Sequence, residues 1–146
     1  MSTNKWTLDI GAMQDDFFAD TAMIGIVSAM QGYRFCWTIN NYFNINFIRD
    51  PDQDITFKKK DIEFYFPVYT FSLANSTHKY LLYKLKNGNE TLLPETKQLD
   101  YLWLIQTANP DEDAYKITRE LRNIPDVQLA RILEADQLKN IKNLIV

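Results

Sequence analysis

The stretch Leu92-Leu93-Pro94-Glu95-Thr96-Lys97-Gln98-Leu99-Asp100-Tyr101-Leu102-Trp103-Leu104-Ile105 organises the reading of the chain. Pro94 has no amide hydrogen and stops whatever precedes it. A short polar loop carrying Glu95 follows. An acid and a tyrosine, Asp100 and Tyr101, then open a strongly apolar strand.

Just upstream, Asn87-Gly88 is the best hairpin-turn dipeptide in the chain, because both central positions of that turn need positive φ. Residues 78–86 read as the return strand, with Leu81, Tyr83 and Leu85 opposing Tyr80 and Leu82. Residues 57–73 contain a long strand, with Ile62, Phe64, Phe66 and Val68 on one side and Glu63, Tyr65, Pro67 and Tyr69 on the other. Pro67 marks an edge or a bulge. Residues 45–48 read as a short strand and residues 49–54 as an exposed turn.

Further back, Ser28-Ala29-Met30-Gln31 matches a capping box and predicts a helix over residues 29–42, with Phe35, Ile39 and Phe43 on its apolar stripe. Asn44 is its expected stop. Residues 21–27 are apolar on both faces and read as a central, covered strand, although periodicity alone leaves a buried helix segment open. Residues 5–10 alternate, with Trp6, Leu8 and Ile10 on one side, and read as a first strand.

Downstream, Asn109-Pro110-Asp111-Glu112 is a helix N-terminal signature, with Ala114, Ile117 and Leu121 as the stripe. Residues 127–133 read as a strand. Asp136 opens a short helix with Leu138 and Ile141, and residues 144–146 are expected to pair as a terminal strand. The sum is a single α+β domain over residues 1–146, with a largely antiparallel sheet and about three helices packed on it.

A chain of 146 residues with 46% hydrophobic residues can build one real core. The net charge of −3 argues against a dedicated phosphate-backbone binder. Cys36 is alone, so no intrachain disulfide or thiolate metal cluster is expected. The first ten residues lack a basic segment followed by an apolar run, and residues 21–30 are too short to span a bilayer. The expected compartment is the cytoplasm, with no membrane contact.

Leu93-Pro94-Glu95, three residues, then Leu99-Asp100-Tyr101 resembles the signature of the IPExxxVDY family. Pro94, Glu95, Asp100 and Tyr101 match it, and Leu93 and Leu99 replace Ile and Val at similar size. Ile24-Gly25-Ile26, Gly32-Tyr33-Arg34 and residues 138–145 resemble the family's other recurring segments. The resemblance implies a relation over most of the chain and no particular activity. An association of the family's genes with those for ribonuclease III and pyruvate kinase adds slight weight to a role near RNA or a metabolic enzyme.

Glu95, Asp100 and Tyr101 would make an acid–base or small-ligand site if they converged in a cleft. The competing expectation is structural: Glu95 caps backbone amides, Asp100 pairs with a neighbouring strand or with Arg34, and Tyr101 is core. His78 has no second histidine at ligand spacing, and Cys36 on a helix stripe reads as a small buried hydrophobe. Neither a metal nor any cofactor is expected. Lys58-Lys59-Lys60 beside Phe57, Phe64, Tyr65 and Phe66 could serve single-stranded RNA through phosphate contacts and stacking, or simply deter edge pairing. No glycine-rich phosphate loop occurs.

The aromatic content of 14% is the anomaly. Phe64, Tyr65, Phe66, Tyr69, Tyr80 and Tyr83 place rings on both faces of one expected hairpin, and one face needs cover from outside the sheet. The reading is a non-enzymatic protein that binds another protein or a second copy of itself through the segment 61–86. An RNA-associated accessory module using Lys58, Lys59 and Lys60 is the alternative, and a small-ligand or hydrolytic site at Glu95, Asp100 and Tyr101 is the third reading.

Overall fold

A computed structural model describes residues 17–74 and 76–146. The alternating segment at residues 5–10 lies outside the described residues. The frame is a six-stranded antiparallel sheet in the order β10-β1-β9-β6-β5-β2. Its strands are β1 (Thr21–Val27), β2 (Ile48–Arg49), β5 (Val68–Ser72), β6 (Lys79–Lys84), β9 (Tyr101–Gln106) and β10 (Leu129–Leu133). Two small hairpins stand apart: β3 (Ile55–Lys59) with β4 (Ile62–Phe66), and β7 (Lys86–Asn87) with β8 (Glu90–Thr91).

β9 lies at the centre, hydrogen-bonded to β1 on one side and β6 on the other. Side chains alternate across a strand, so its run of apolar residues feeds two cores. Tyr101, Trp103 and Ile105 enter one, beneath helices α1 (Gly32–Phe43) and α2 (Pro110–Leu121). Leu102 and Leu104 enter the other, with Leu92, Leu93, Leu99 and the C-terminal Leu138, Ile141 and Leu144. Residues 21–27 form the expected covered strand between β9 and β10, with Ile24 and Ile26 fully buried. The return strand also follows its expected alternation, Leu81 and Tyr83 to one core and Tyr80 and Leu82 to the other.

Several expectations need correction, among them the short strand over residues 45–48, which is only Ile48–Arg49 and runs into a 3-10 turn at Pro51–Gln53. The first helix begins at Gly32 and not at residue 29, and the Ser28 capping box does not form. The Ser28 amide donates to Asp100 Oδ2 at 2.9 Å, its hydroxyl accepts from the Met30 amide at 3.3 Å, and the Tyr101 hydroxyl donates to the Met30 carbonyl at 2.6 Å. These bonds hold residues 28–30 outside the helix. Asn44 stops the helix as expected, at φ 55°.

The long strand over residues 57–73 is three strands. Lys60 and Asp61 adopt φ 51° and 64° and turn β3 back on β4, a two-residue turn made without glycine or asparagine. Pro67 separates β4 from β5; lacking an amide hydrogen, it contributes only its carbonyl, which accepts from Lys84 N–H. In the next hairpin the central pair is Gly88-Asn89, one residue later than expected, and only Gly88 has positive φ.

Among the described residues two full α-helices pack on the sheet, where about three were expected. The C-terminal segment forms 3-10 turns at Ala135–Gln137 and Ile141–Leu144 instead of a helix and a terminal strand. Leu138, Ile141 and Leu144 each reach the second core from these short turns, and Tyr83 Oη donates to the Leu144 carbonyl at 2.6 Å.

Gly25 sits where the loop containing Leu99 crosses β1. A Cβ there would lie 2.6 Å from Leu99 Cδ1 and 3.2 Å from Leu133 Cδ1, and both leucines are buried. Gly25→Ala is therefore expected to cost about 1–3 kcal/mol in urea unfolding. Combined with Leu99→Ala it should cost less than the sum of the two single changes, because the smaller side chain vacates the clash.

Candidate functional site

The signature residues are brought together along the chain and then sent to different places. Glu95 Oε2 accepts from the Asn140 amide at 2.8 Å and from Asn140 Nδ2 at 3.1 Å, and Asn143 Nδ2 donates to the Leu92 carbonyl at 2.9 Å. Glu95 thus fastens the C-terminal turns to the loop before β9. It does cap a backbone amide, but one 45 residues away.

Asp100 works on the opposite connection. One carboxylate oxygen accepts from Ser28 N–H, and the other meets Lys86 Nζ at 3.0 Å. Lys86, not Arg34, is its ionic partner. Tyr101 stacks on Phe35 with ring centroids 4.0 Å apart and planes 10° from parallel, and its hydroxyl is committed to Met30. Burial pushes the Tyr101 phenol well above its ordinary range. No pair among Glu95, Asp100 and Tyr101 shares a hydrogen-bond partner, and the three do not line one cleft. The three do not assemble as an acid–base site; each is a fastening of loop to sheet.

The aromatic hairpin is resolved in a similar way. Phe66, Tyr69 and Tyr83 are buried and Phe64 and Tyr80 half-buried, so the two cores take rings that the sequence left for a partner. The cover comes from the helices on one face and from residues 92–99 and 138–144 on the other. Tyr65 alone of the six is exposed, and its hydroxyl bonds Glu63.

The lysine run lies on the β3–β4 hairpin, where Lys59 alone of the three makes an ion pair among the described residues. Lys58 stands opposite Glu63 in the register, Lys59 pairs with Glu90 at 3.1 Å, and Lys60 precedes Asp61 at the turn. Cys36 Sγ lies 3.5 Å from the Phe47 carbonyl, and burial pushes the thiol up to about 11, so it is not a thiolate at neutral pH. Among the described residues no three His, Cys, Asp or Glu side chains group as a metal site, and no helix is long and apolar enough to cross a membrane.

The surface that the sequence did not single out is the outer face of α1. Tyr33 and Trp37 stand one turn apart and are each 68% exposed, with Arg34 beside them. This 12-residue helix contains Arg34 and no acid. Arg34 makes no ion pair among the described residues. An open cavity of about 390 Å³ lies between the start of α1 and the loop of Pro125 and Asp126, with Tyr33 and Arg34 in its wall. A second, of about 220 Å³, adjoins it across residues 29–31 and includes Lys84 and Lys86. Tyr115 on α2 is also exposed, but the Arg119 guanidinium lies over its ring at 5.9 Å. The signal for the α1 face was present: Tyr33 and Trp37 share an i, i+4 row opposite Phe35 and Ile39.

No family model matches the chain, and no curated protein matches it.

Two outcomes follow from these fastenings. Tyr101→Phe leaves the Met30 carbonyl without its donor and should cost about 1–3 kcal/mol in urea unfolding. The pH effect has a definite sign. Cys36, Tyr83 and Tyr101 hold their protons to higher pH in the fold than in the unfolded chain. Their contribution is fully present below the ordinary thiol and phenol values and is lost as pH rises beyond them. Stability should fall above about pH 9, by up to about 1.4 kcal/mol per pH unit for each ionising group. Urea midpoints measured between pH 7 and 11 check this.

Proposed function

We propose that this chain is a non-enzymatic, cytoplasmic binding module that holds an acidic, leucine- or aromatic-bearing peptide segment of another protein against the outer face of α1. The observation that carries the reading is the pair Tyr33 and Trp37, exposed one turn apart beside Arg34. Trp, Tyr and Arg are the side chains that most often dominate binding energy at interfaces. Arg34 makes the helix basic, although the whole chain carries −3, and in the adjoining cavity Lys84 adds a positive charge while Lys86 is balanced by Asp100. An acidic segment would be steered to this face. Two copies of it would repel, which favours a different protein over self-association. The single buried Cys36 suits a reducing compartment.

We propose also that the chain is a relative of the IPExxxVDY family, on the match at Pro94, Glu95, Asp100 and Tyr101. The roles of those residues support a signature that maintains the fold rather than a reaction. The RNA reading based on Lys58, Lys59 and Lys60 loses some support from the pairing of Lys59 with Glu90.

The test uses a fluorescein-labelled peptide of alternating Glu and Leu, titrated at low and at physiological salt, with oligouridylate as competitor. Trp37→Ala and Arg34→Glu in the full chain should each weaken peptide binding about tenfold or more, with unchanged urea midpoints. No binding at low salt, or binding indifferent to both changes, overturns the reading. Tighter binding of oligouridylate replaces it with the RNA alternative. A dimer by sedimentation that Trp37→Ala dissociates replaces the partner with a second copy.

A further inference from the structure

Helix N-termini carry amides that no intrahelical carbonyl can satisfy. In α1 the Gly32, Tyr33 and Arg34 amides donate to no group among the described residues, and Phe35 is the first to bond back, to the Gln31 carbonyl at 2.8 Å. Gln31, just before the helix, does not cap it with its side chain, and the first turn holds no acid. Such an end carries positive potential and has no internal anion to meet it.

Two side chains from the sheet converge on that end. A Cβ on Gly32 would lie 2.9 Å from Tyr69 Oη and 3.4 Å from Lys84 Cδ, so the glycine makes room for both. Tyr69, on β5, is only 6% exposed, and its hydroxyl, aimed at the start of α1, makes no hydrogen bond among the described residues. A polar group buried in this way is costly unless something outside the chain meets it. Burial pushes the Tyr69 phenol up, so it keeps its proton and can donate. Lys84, at the end of β6, is half-buried and makes no ion pair among the described residues. With Gln31 it lines the cavity of about 220 Å³. The other polar groups of that cavity are committed. Ser28 Oγ accepts from the Met30 amide, the Tyr101 hydroxyl donates to the Met30 carbonyl, and Asp100 is held by Lys86 and the Ser28 amide.

We propose that the start of α1, with Tyr69 and Lys84, is a binding site for a phosphate group. The free amides of Gly32 and Tyr33, the Tyr69 hydroxyl and the Lys84 ammonium are its donors. Donors spread over a helix end, a strand tyrosine and a lysine suit the tetrahedral oxygens of phosphate better than the planar fork of a carboxylate. The Asp100 carboxylate faces the same cavity, but Lys86 balances it, so Lys84 is the charge left for the ligand. The site does not use the rings of Tyr33 and Trp37, and it stands whether or not a peptide docks there.

Amide NMR spectra of the full chain, titrated with inorganic phosphate at neutral pH and constant ionic strength, test this. The Gly32 and Tyr33 amides should shift and saturate, and chloride should not reproduce the shifts. Lys84→Met keeps the aliphatic stem and should weaken binding about tenfold, and Tyr69→Phe about threefold or more, each with the other amides unmoved. Trp37→Ala should leave phosphate binding unchanged. A second titration uses N-acetyl-phosphoserine amide. Equal affinity supports a site for free phosphate, and tighter binding supports one for a phosphorylated side chain. Shifts that do not saturate, that chloride reproduces, or that Lys84→Met leaves at the same midpoint overturn the proposal.

Discussion

A strand with no polar face cannot lie on a surface, and Tyr101–Gln106 is such a strand. Everything large in the molecule is arranged to cover it twice. The sheet supplies its neighbours, two helices supply one roof, and a set of short turns and loops supplies the other. Trp103 shows how tight the first roof is: its ring packs edge-on against Phe43, Phe47 and Tyr80, all within 5.5 Å between centroids. Burying one aromatic of that size contributes on the order of 3 kcal/mol, so the ring cluster is a large part of what opposes chain entropy.

The polar residues at the start of β9 hold the two roofs in place. Tyr101 and Asp100 bind the connection that leads from β1 into α1, and Glu95 binds the C-terminal turns. Each bond is made by a side chain on one segment to a backbone group on another, 45 to 72 residues away in the chain. Such bonds carry fold information because a buried backbone group left unpaired is costly. A compact signature of acids and a tyrosine therefore need not mark a reaction. Here the same chemistry that could serve catalysis ties loops to a strand, and the exposed pair Tyr33 and Trp37 with Arg34 lies elsewhere, on α1.

Much of the architecture was legible. Residues 21–27 were readable as a covered strand because both faces are apolar, and Asn44 was readable as a stop because it tolerates positive φ. The alternation of residues 79–84 assigned each side chain to its correct face. What misled was local chemistry with two possible uses. Ser28 with Gln31 looks like a helix cap, but Asp100 competes for the Ser28 amide from 72 residues away. Lys60 and Asp61 look like ordinary strand residues, yet they take the positive φ of a hairpin turn. The six rings of residues 64–83 looked like a surplus because the second roof is built from residues 92–99 and 138–144, which are weak in periodicity and were not read as a covering layer.

The sequence by itself determined the class of the molecule: a single α+β domain with a largely antiparallel sheet. Composition and period are sums over short windows, so they survive any rearrangement of distant parts. Only the tertiary structure decided which aromatics are hidden and which are offered. That choice depends on what segment crosses above each ring, and crossing partners such as Glu95 with Asn140, or Tyr83 with Leu144, are set by packing between residues far apart in the chain and not by any local preference.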